Sequence, residues 1–354
     1  MQRVDLEIED IAFGGAGVGR LNGKTIFVPL TIDGERITAR VVREKKQFAE
    51  AELEEVVDAA PRRAQPACPY FGRCGGCSYQ HISYEHQLEL KHRQVEQILR
   101  RIGGIAHPPM QPIIPSPKPY GYRNRVTVHA EDGVIGYYRR NAHRLIDVAC
   151  CPIADPEVNR ALAELRSRNP RNGHYTLRAN EGPRVFAQTN DEVAQAMALL
   201  VTQLLRDGDE LLIDAYCGAG FFAKRLINRF DRVLGIEWDR HAIAAAQRTA
   251  IAKETYIAGD VDEAFAAQMA RCDPARTTVI VDPPAAGLGV RTRRALLDRP
   301  PHTLVYVSCD PATLARDIRE LQQQFELLSV TPLDMFPQTA EIECVAHLKA
   351  KPDV

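Results

Sequence analysis

From residue 190 onward the chain alternates short apolar runs with helical segments, and then breaks that alternation at its end. The runs "ELLIDAY", "RVLGIEW", "TYIAGD", "TTVIVDPP" and "TLVYVSCD" are each followed by a stretch with helical spacing of apolar residues. A crossover helix returns the chain to the same end of a sheet, so such strands pair in parallel. The last two runs, "FELLSVTPLDMF" and "IECVAHLKA", have no helix between them. They are expected to form an antiparallel hairpin at the sheet edge. The expected fold is α/β, a doubly wound and mostly parallel sheet.

The rest of the chain reads differently. Residues 1–58 hold about five short β-rich runs punctuated by "GGAGVGR", "NG" and "DG", which suits a small OB-like β-barrel. A Pro- and Arg-containing linker follows. Residues 59–184 combine a cysteine-rich knot, a helix near 83–102 and alternating strands with a helix near 155–168. The helix near 83–102 is expected to pack on the catalytic domain, residues 185–354.

Formal net charge is −1, so no global field draws in an anionic partner. Basic residues are clustered, however, at Arg36–Lys46, at Lys118–Arg144 and at Arg291–Arg294. Taken singly, each cluster reads as an ordinary solvated face. No apolar run is long enough for a membrane-spanning helix and the start lacks a secretory h-region, so a cytoplasmic protein is expected. A monomer is expected as well. Nine cysteines in a reducing compartment point to metal ligation or catalysis before disulfides.

The strand ends carry the chemistry. Gly218 and Gly220 follow "ELLIDAY", where glycine permits a tight turn and close approach of a ligand. Phe221 and Phe222 stand where a dinucleotide fingerprint would need its third glycine, which disfavours a pyrophosphate. Glu237 ends the next strand and is placed to accept hydrogen bonds from two ribose hydroxyls. Asp260 is placed to meet an adenine edge, and Asp282 ends the fourth strand. Ligands of such sheets bind at the carboxyl ends of the strands. With the hairpin ending, the pattern is that of a class I methyltransferase with S-adenosylmethionine as methyl donor.

Cys309 ends the fifth strand on the same rim, and Pro311 suits the first turn of a helix. Helix N–H groups there are expected to stabilise its thiolate. A thiolate beside a methyl donor suits carbon 5 of uracil, a poor nucleophile until a thiolate adds at carbon 6. A base must then remove the carbon 5 proton, and Glu343 at the start of the final strand is the candidate. Glu341 would share its face in a regular strand and raise its pKa. Ala285 after "DPP" offers no ring to stack a base, unlike enzymes of exocyclic amines. That turn also lacks the second cysteine of many cytosine-C5 enzymes. Cys217, Cys272 and Cys344 fit buried packing roles.

"CPYFGRCGGC" sets Cys68, Cys74 and Cys77 in a C-x5-C-x2-C spacing. Cys151 in "DVACCPI" is the candidate fourth ligand, with Cys150 its alternative. Four thiolates hold zinc or an iron–sulfur cluster. Zinc more often takes two C-x2-C pairs, which favours a [4Fe–4S] cluster.

These motifs resemble the RNA uracil-C5 methyltransferases over nearly the whole chain. Residues 1–58 look like that family's TRAM domain. The cysteine knot with a later Cys-Pro resembles its [4Fe–4S] site, and "GYRNRV" its central signature. "FAQTN" is similar to its F-x-Q-x-N element, which implies that Gln188 lies near donor and uracil. "DAYCGAG" matches the donor loop and adds Tyr216. "VSCDPATLARD" matches the nucleophile motif and "PQTAEIECV" the base motif. Three positions depart from the family: Ala285 for an arginine, Glu341 for a frequent histidine, and Phe221 for a frequent polar residue. The resemblance implies 5-methylation of uridine in structured RNA, ribosomal RNA favoured over transfer RNA. The alternatives are a non-catalytic RNA-binding protein that keeps the fold, motivated by the missing arginine, and a methyltransferase for another base.

Overall fold

The computed structural model describes residues 2–179 and 188–352. The expected domain boundary at 184/185, together with Phe186 of "FAQTN", lies outside the described residues.

The first five strands are β1 (Arg3–Ile11), β2 (Ala16–Leu21), β3 (Lys24–Pro29), β4 (Arg36–Glu44) and β5 (Phe48–Asp58), closed into a barrel in the order β1-β2-β3-β5-β4. Inward Val4, Leu6 and Ile8 alternate with exposed neighbours along β1, the period-two pattern of a half-buried strand. Glu35 is fully buried in the turn before β4 and is held by the Arg63 guanidinium at 2.5 and 2.8 Å. Glu35 also accepts the Ile32 and Ala60 N–H groups, so one carboxylate ties the linker to the barrel. The basic cluster of β4 meets acids on the neighbouring strand: Arg36 with Asp58, Arg40 with Glu52, Arg43 with Glu50.

Helix α1 (Tyr84–Arg101) follows, and then a four-stranded sheet. Its strands are β6 (Arg125–Glu131), β7 (Val134–Arg139), β8 (Ala142–Asp147) and β9 (Gly173–Arg178), with α2 (Pro156–Ser167) inserted before β9. The order is β8-β7-β6-β9, antiparallel throughout. Asp155 caps α2 by accepting the Glu157 N–H, and Pro156 opens the helix. One face of this sheet, with Val126, Val128 and Ala130, packs on Val158 and Leu162 of α2.

The remaining elements are α3 (Asp191–Leu204), β10 (Leu211–Ala215), α4 (Phe221–Leu226), β11 (Arg232–Glu237), α5 (Arg240–Gln247), β12 (Glu254–Ala258), α6 (Val261–Met269), β13 (Thr277–Val281), α7 (Val290–Asp298), β14 (Thr303–Ser308), α8 (Pro311–Leu321), β15 (Phe325–Leu333) and β16 (Glu343–Ala350). They form a seven-stranded sheet in the order β12-β11-β10-β13-β14-β16-β15. The first five are parallel. β16 runs antiparallel between β14 and β15, so the hairpin expected from the missing helix is present and its second strand is the inner one. β13 and β14 are buried along their whole length, as parallel strands covered on both faces must be.

The chain divides into two compact units. One comprises Met1–Gln94, Pro117–Glu181 and Phe336–Glu341, and the other Val95–Ser116, Gly182–Met335 and Ile342–Val354. Val95 and Leu99, in the second half of α1, are fully buried in the core of the seven-stranded unit. No helix among the described residues is long and apolar enough to cross a membrane.

Candidate functional site: a carboxylate-lined rim with a thiol

The parallel register brings the ends of β10, β11, β13 and β14 to one rim. Ala215 pairs with Ile236 on one side and Val281 on the other, and Val281 with Tyr306. Tyr216, Glu237, Asp282 and Cys309 therefore all leave the sheet at the same end.

The loop after β10 turns through left-handed backbone at Tyr216, Gly218 and Gly220, with φ of +64°, +54° and +88°. Glycine adopts this without cost, whereas tyrosine is strained there, the kind of outlier found where a loop is shaped for a ligand. At Gly220 a Cβ would lie 2.8 Å from the Tyr256 hydroxyl, so a side chain is also excluded by space. The Glu237 carboxylate holds the loop. One oxygen accepts the Gly218 N–H at 3.1 Å and the other the Asp239 N–H at 2.9 Å. Each oxygen keeps a second lone pair for a hydroxyl donor.

Asp214 lies beneath the loop, fully buried. One oxygen accepts the Ala223 N–H at 2.8 Å, and the other has no hydrogen-bond partner. Burial, then the negative charges of Asp282 and Glu237, push its carboxyl up to about 7. Asp282 is raised as well, by desolvation first and then by Glu237. The Gln188 amide donates to Asp282 at 3.4 Å. Three acids this close, with an orphaned oxygen among them, are a poor arrangement alone and a good one around a cation. The donor set thus fits a molecule carrying a sulfonium and an ammonium. Asp260 is the cap of α6, one carboxylate oxygen accepting the Glu263 N–H at 3.0 Å. Asn190 of "FAQTN" caps α3 and donates to Ser116 at 3.0 Å, which anchors the segment carrying Gln188.

Cys309 is exposed, unlike buried Cys217, Cys272 and Cys344. Ser308 pairs with Cys344 across β14 and β16, so one step further Cys309 falls opposite Glu343. The expectation of a stabilised thiolate is overturned. The thiol is pushed up to about 11, by desolvation first and then by the negative charges of Glu343 and Asp282. The helix donors meant to lower it are taken: Asp310 caps α8 and accepts the Ala312 and Thr313 N–H groups. Glu343 itself is buried. Glu341 is exposed and precedes β16, so strand alternation does not put it on the face of Glu343.

The turn after Asp282 is gripped from α8. Asp317, fully buried, accepts the Leu288 N–H at 2.9 Å and the Tyr306 hydroxyl at 2.8 Å, while Arg316 donates to the Ala286 carbonyl at 2.9 Å. Sequence reasoning passed over this pair, although "ARD" closes the nucleophile motif. It also passed over Trp238, the only tryptophan, which is 71% exposed beside Glu237. An unburied indole next to a ribose-type acid was the available signal. In the Arg291–Arg294 cluster, Arg291 and Arg294 are exposed and meet Glu263 and Asp298, whereas Arg293 is largely buried and meets Glu320 and Asp317.

In the other unit Cys74, Cys77 and Cys151 are half-buried beside Cys68. Burial and then the neighbouring thiols raise Cys77, pushed up to about 12, with Cys151, Cys74 and Cys68 all contributing. The Gly76 N–H points at the Cys74 sulfur at 3.4 Å. Cys150 is exposed. Among the described residues no group of three or more His, Cys, Asp or Glu is placed to hold a metal ion.

Comparison with known proteins adds the following. A family model described as tRNA (Uracil-5-)-methyltransferase matches residues 163–258 and 268–351, and the TRAM domain model matches residues 1–53. An uncharacterised RNA methyltransferase of Bdellovibrio bacteriovorus is 31% identical, covering 98% of this chain and 95% of its own length. One from Halalkalibacterium halodurans is 30% identical, covering 98% and 97%. Among solved structures, a Pyrococcus abyssi tRNA (uracil-54, C5)-methyltransferase in complex with S-adenosyl-L-homocysteine superposes with a TM-score of 0.73 at 24% identity, over 98% of this chain and 100% of that one. That likeness is one of fold.

Proposed function

This chain belongs to the tRNA (uracil-5-)-methyltransferase family and begins with a TRAM domain, and from that premise we propose that it methylates carbon 5 of a uridine in structured RNA. The single observation that carries the reading is the register that sets Cys309 opposite Glu343 at the rim lined by Asp282. Gln188, Tyr216, Gly218, Gly220, Glu237, Asp260 and Asp282 would hold S-adenosylmethionine and the base beside it. The bound donor supplies an electrophilic methyl group on a cationic sulfur.

Cys309 gives its proton to solvent at the exposed rim and its sulfur adds to carbon 6 of the uracil, opening the 5,6 double bond and making carbon 5 nucleophilic. After carbon 5 gains the methyl group, Glu343 takes the remaining carbon 5 proton. The ring double bond re-forms and the thiolate leaves. The raised thiol fits this order of events, because a cation brought to the rim offsets the acids that hold the proton on sulfur. The target base must be unpaired or flipped out. Ribosomal RNA is favoured over transfer RNA, on the combined presence of barrel and cysteine knot. The division into 1–58, 59–184 and 185–354 belongs to the same proposal.

The test is RNA carrying 5-fluorouridine, in which fluorine replaces the carbon 5 proton that must leave and so blocks release of the enzyme. The protein should form a covalent adduct that Cys309→Ala abolishes. Binding without an adduct would instead favour a non-catalytic RNA-binding protein, the reading that Ala285 motivates. Mapping 5-methyluridine in RNA from cells with and without the gene identifies the target.

Cys68, Cys74, Cys77 and Cys151 would hold a [4Fe–4S] cluster. The four thiols lie close enough in a half-buried site to raise one another, which supports a shared cationic group, and the C-x5-C-x2-C spacing favours a cluster over zinc. Such a cluster would cross-link the knot to the strand end after β8. Anaerobic purification should give brown protein with broad visible absorbance. A colourless preparation containing zinc would overturn this assignment.

A further inference from the structure

The four-stranded sheet has two unlike faces. One is covered by α2, as described. The other carries Thr127, His143, His174 and Thr176 as exposed residues. It also carries an unbroken track of rings, one from each strand in sheet order. His174 of β9 lies 6.0 Å from His129 of β6, His129 lies 4.5 Å from Tyr138 of β7, and Tyr138 lies 5.9 Å from His143 of β8. His174 and His129 are direct cross-strand partners. Gly136 stands opposite His129 on β7, so no side chain separates the histidine from Tyr138. Four strands at about 4.8 Å spacing make the track roughly 14 Å long.

The same face concentrates positive charge. Arg125 is the cross-strand partner of Arg178, and Arg123 is close enough to both that its charge and that of Arg178 bear on Arg125. This arginine pair lies two pairs along from the rings on the same face. The Thr127 and Thr176 hydroxyls meet between them at 3.2 Å. The acid on this face, Glu131, accepts the Tyr138 hydroxyl at 3.1 Å, which fixes the ring at the far end.

We propose that this open face is a stacking platform for an unpaired RNA segment, with bases on the His174–His129–Tyr138–His143 track and phosphates toward Arg125 and Arg178. The inference rests on the reading that the chain acts on RNA. The rings are turned 65°, 45° and 75° from one another along the track, so each offers its own surface to a separately splayed base, which a duplex, whose bases are stacked on each other, does not supply. Arginines beside the row supply the charge complementarity for the backbone.

The test uses the full chain and a labelled single-stranded oligouridine of about twelve nucleotides, within the usual single-strand site sizes. The double variant H129A/H174A should bind it about tenfold more weakly, from the loss of base stacking. H129F/H174F keeps the rings and should bind within about twofold of the parent. Thr127→Glu, a charge placed between rings and arginines, should also weaken binding. 4-Thiouridine in the oligonucleotide should cross-link to peptides from 125–147 and 173–178. Equal affinity of all variants, or cross-links confined to other surfaces, would overturn the proposal. The methylation reading fails separately: it falls if the parent protein makes no 5-methyluridine, whereas the platform stands or falls on the oligonucleotide affinities and cross-links.

Discussion

Two residues at the rim make opposite demands on charge, and each can be tested alone. Glu343 raises the Cys309 thiol, which is pushed up to about 11. Replacing it by Gln removes a negative charge, so the thiol pKa falls. Cys309 in Glu343→Gln should be alkylated by iodoacetamide several-fold faster at pH 8, read by peptide mass spectrometry, while turnover is lost. Slower alkylation would mean that Glu343 activates the thiol in the resting protein. Asp214 works through burial. Its carboxyl is pushed up from 3.8 to about 7 in the folded chain. Between those values the unfolded chain binds fewer protons than the folded one, so this contribution to stability falls as pH rises and is lowest above about 7. Asp214→Asn should therefore stabilise the donor-free protein at pH 8 by on the order of 2 kcal/mol, with little effect below pH 4, in paired denaturant titrations. The same variant should bind the donor more weakly, since it removes charge complementary to a sulfonium. Trp238, the only tryptophan and largely exposed beside Glu237, provides the fluorescence readout of that binding.

At the scale of elements, α8 has two functions at its two ends. Its first turn follows Cys309, and Asp317 further along fixes the turn between β13 and α7 through Leu288 and Tyr306. Cys309 and the turn after Asp282 are thus both anchored to one helix. Asp317→Ala would remove the acceptor of the Tyr306 hydroxyl, the Leu288 N–H and two Arg316 N–H groups. A loss of about 3 kcal/mol in stability is expected from chemical unfolding. In the barrel, Arg63→Ala should cost a similar ~3 kcal/mol, because Glu35 would be left as an unpaired buried charge. A change below ~1 kcal/mol in either variant would mean that the network is replaceable by water.

At the scale of the whole molecule, charge is balanced rather than absent. The net value of −1 conceals a barrel whose arginines face acids and a central sheet where arginines face one another. RNA binding through few phosphate contacts releases few counterions. The slope of log affinity against log salt should be shallow, about −2 to −3, and a slope steeper than about −6 would point to a much broader basic footprint. Both compact units take part in the proposed function, one with the donor rim and the other with the barrel, the cysteine knot and the ring track.

The fold was legible because it rests on periodicity and on punctuation. Alternating strands and helices, with one helix missing before "IECVAHLKA", led to the parallel sheet and its antiparallel ending without any coordinates. Gly218, Gly220, Glu237 and Cys309 were findable because strand ends gather on one side of such a sheet whatever the helices do. What the sequence left open depends on the field around a group and on neighbours remote in the chain. The raised thiol of Cys309 arises because Asp310 occupies the helix donors and Glu343 and Asp282 converge from other strands. Glu341 fell outside the strand that would have aligned it with Glu343. The ring track needed four strands in register before His129, Tyr138, His143 and His174 became neighbours. Chain order decides which elements form, and only their packing decides which charges and rings meet.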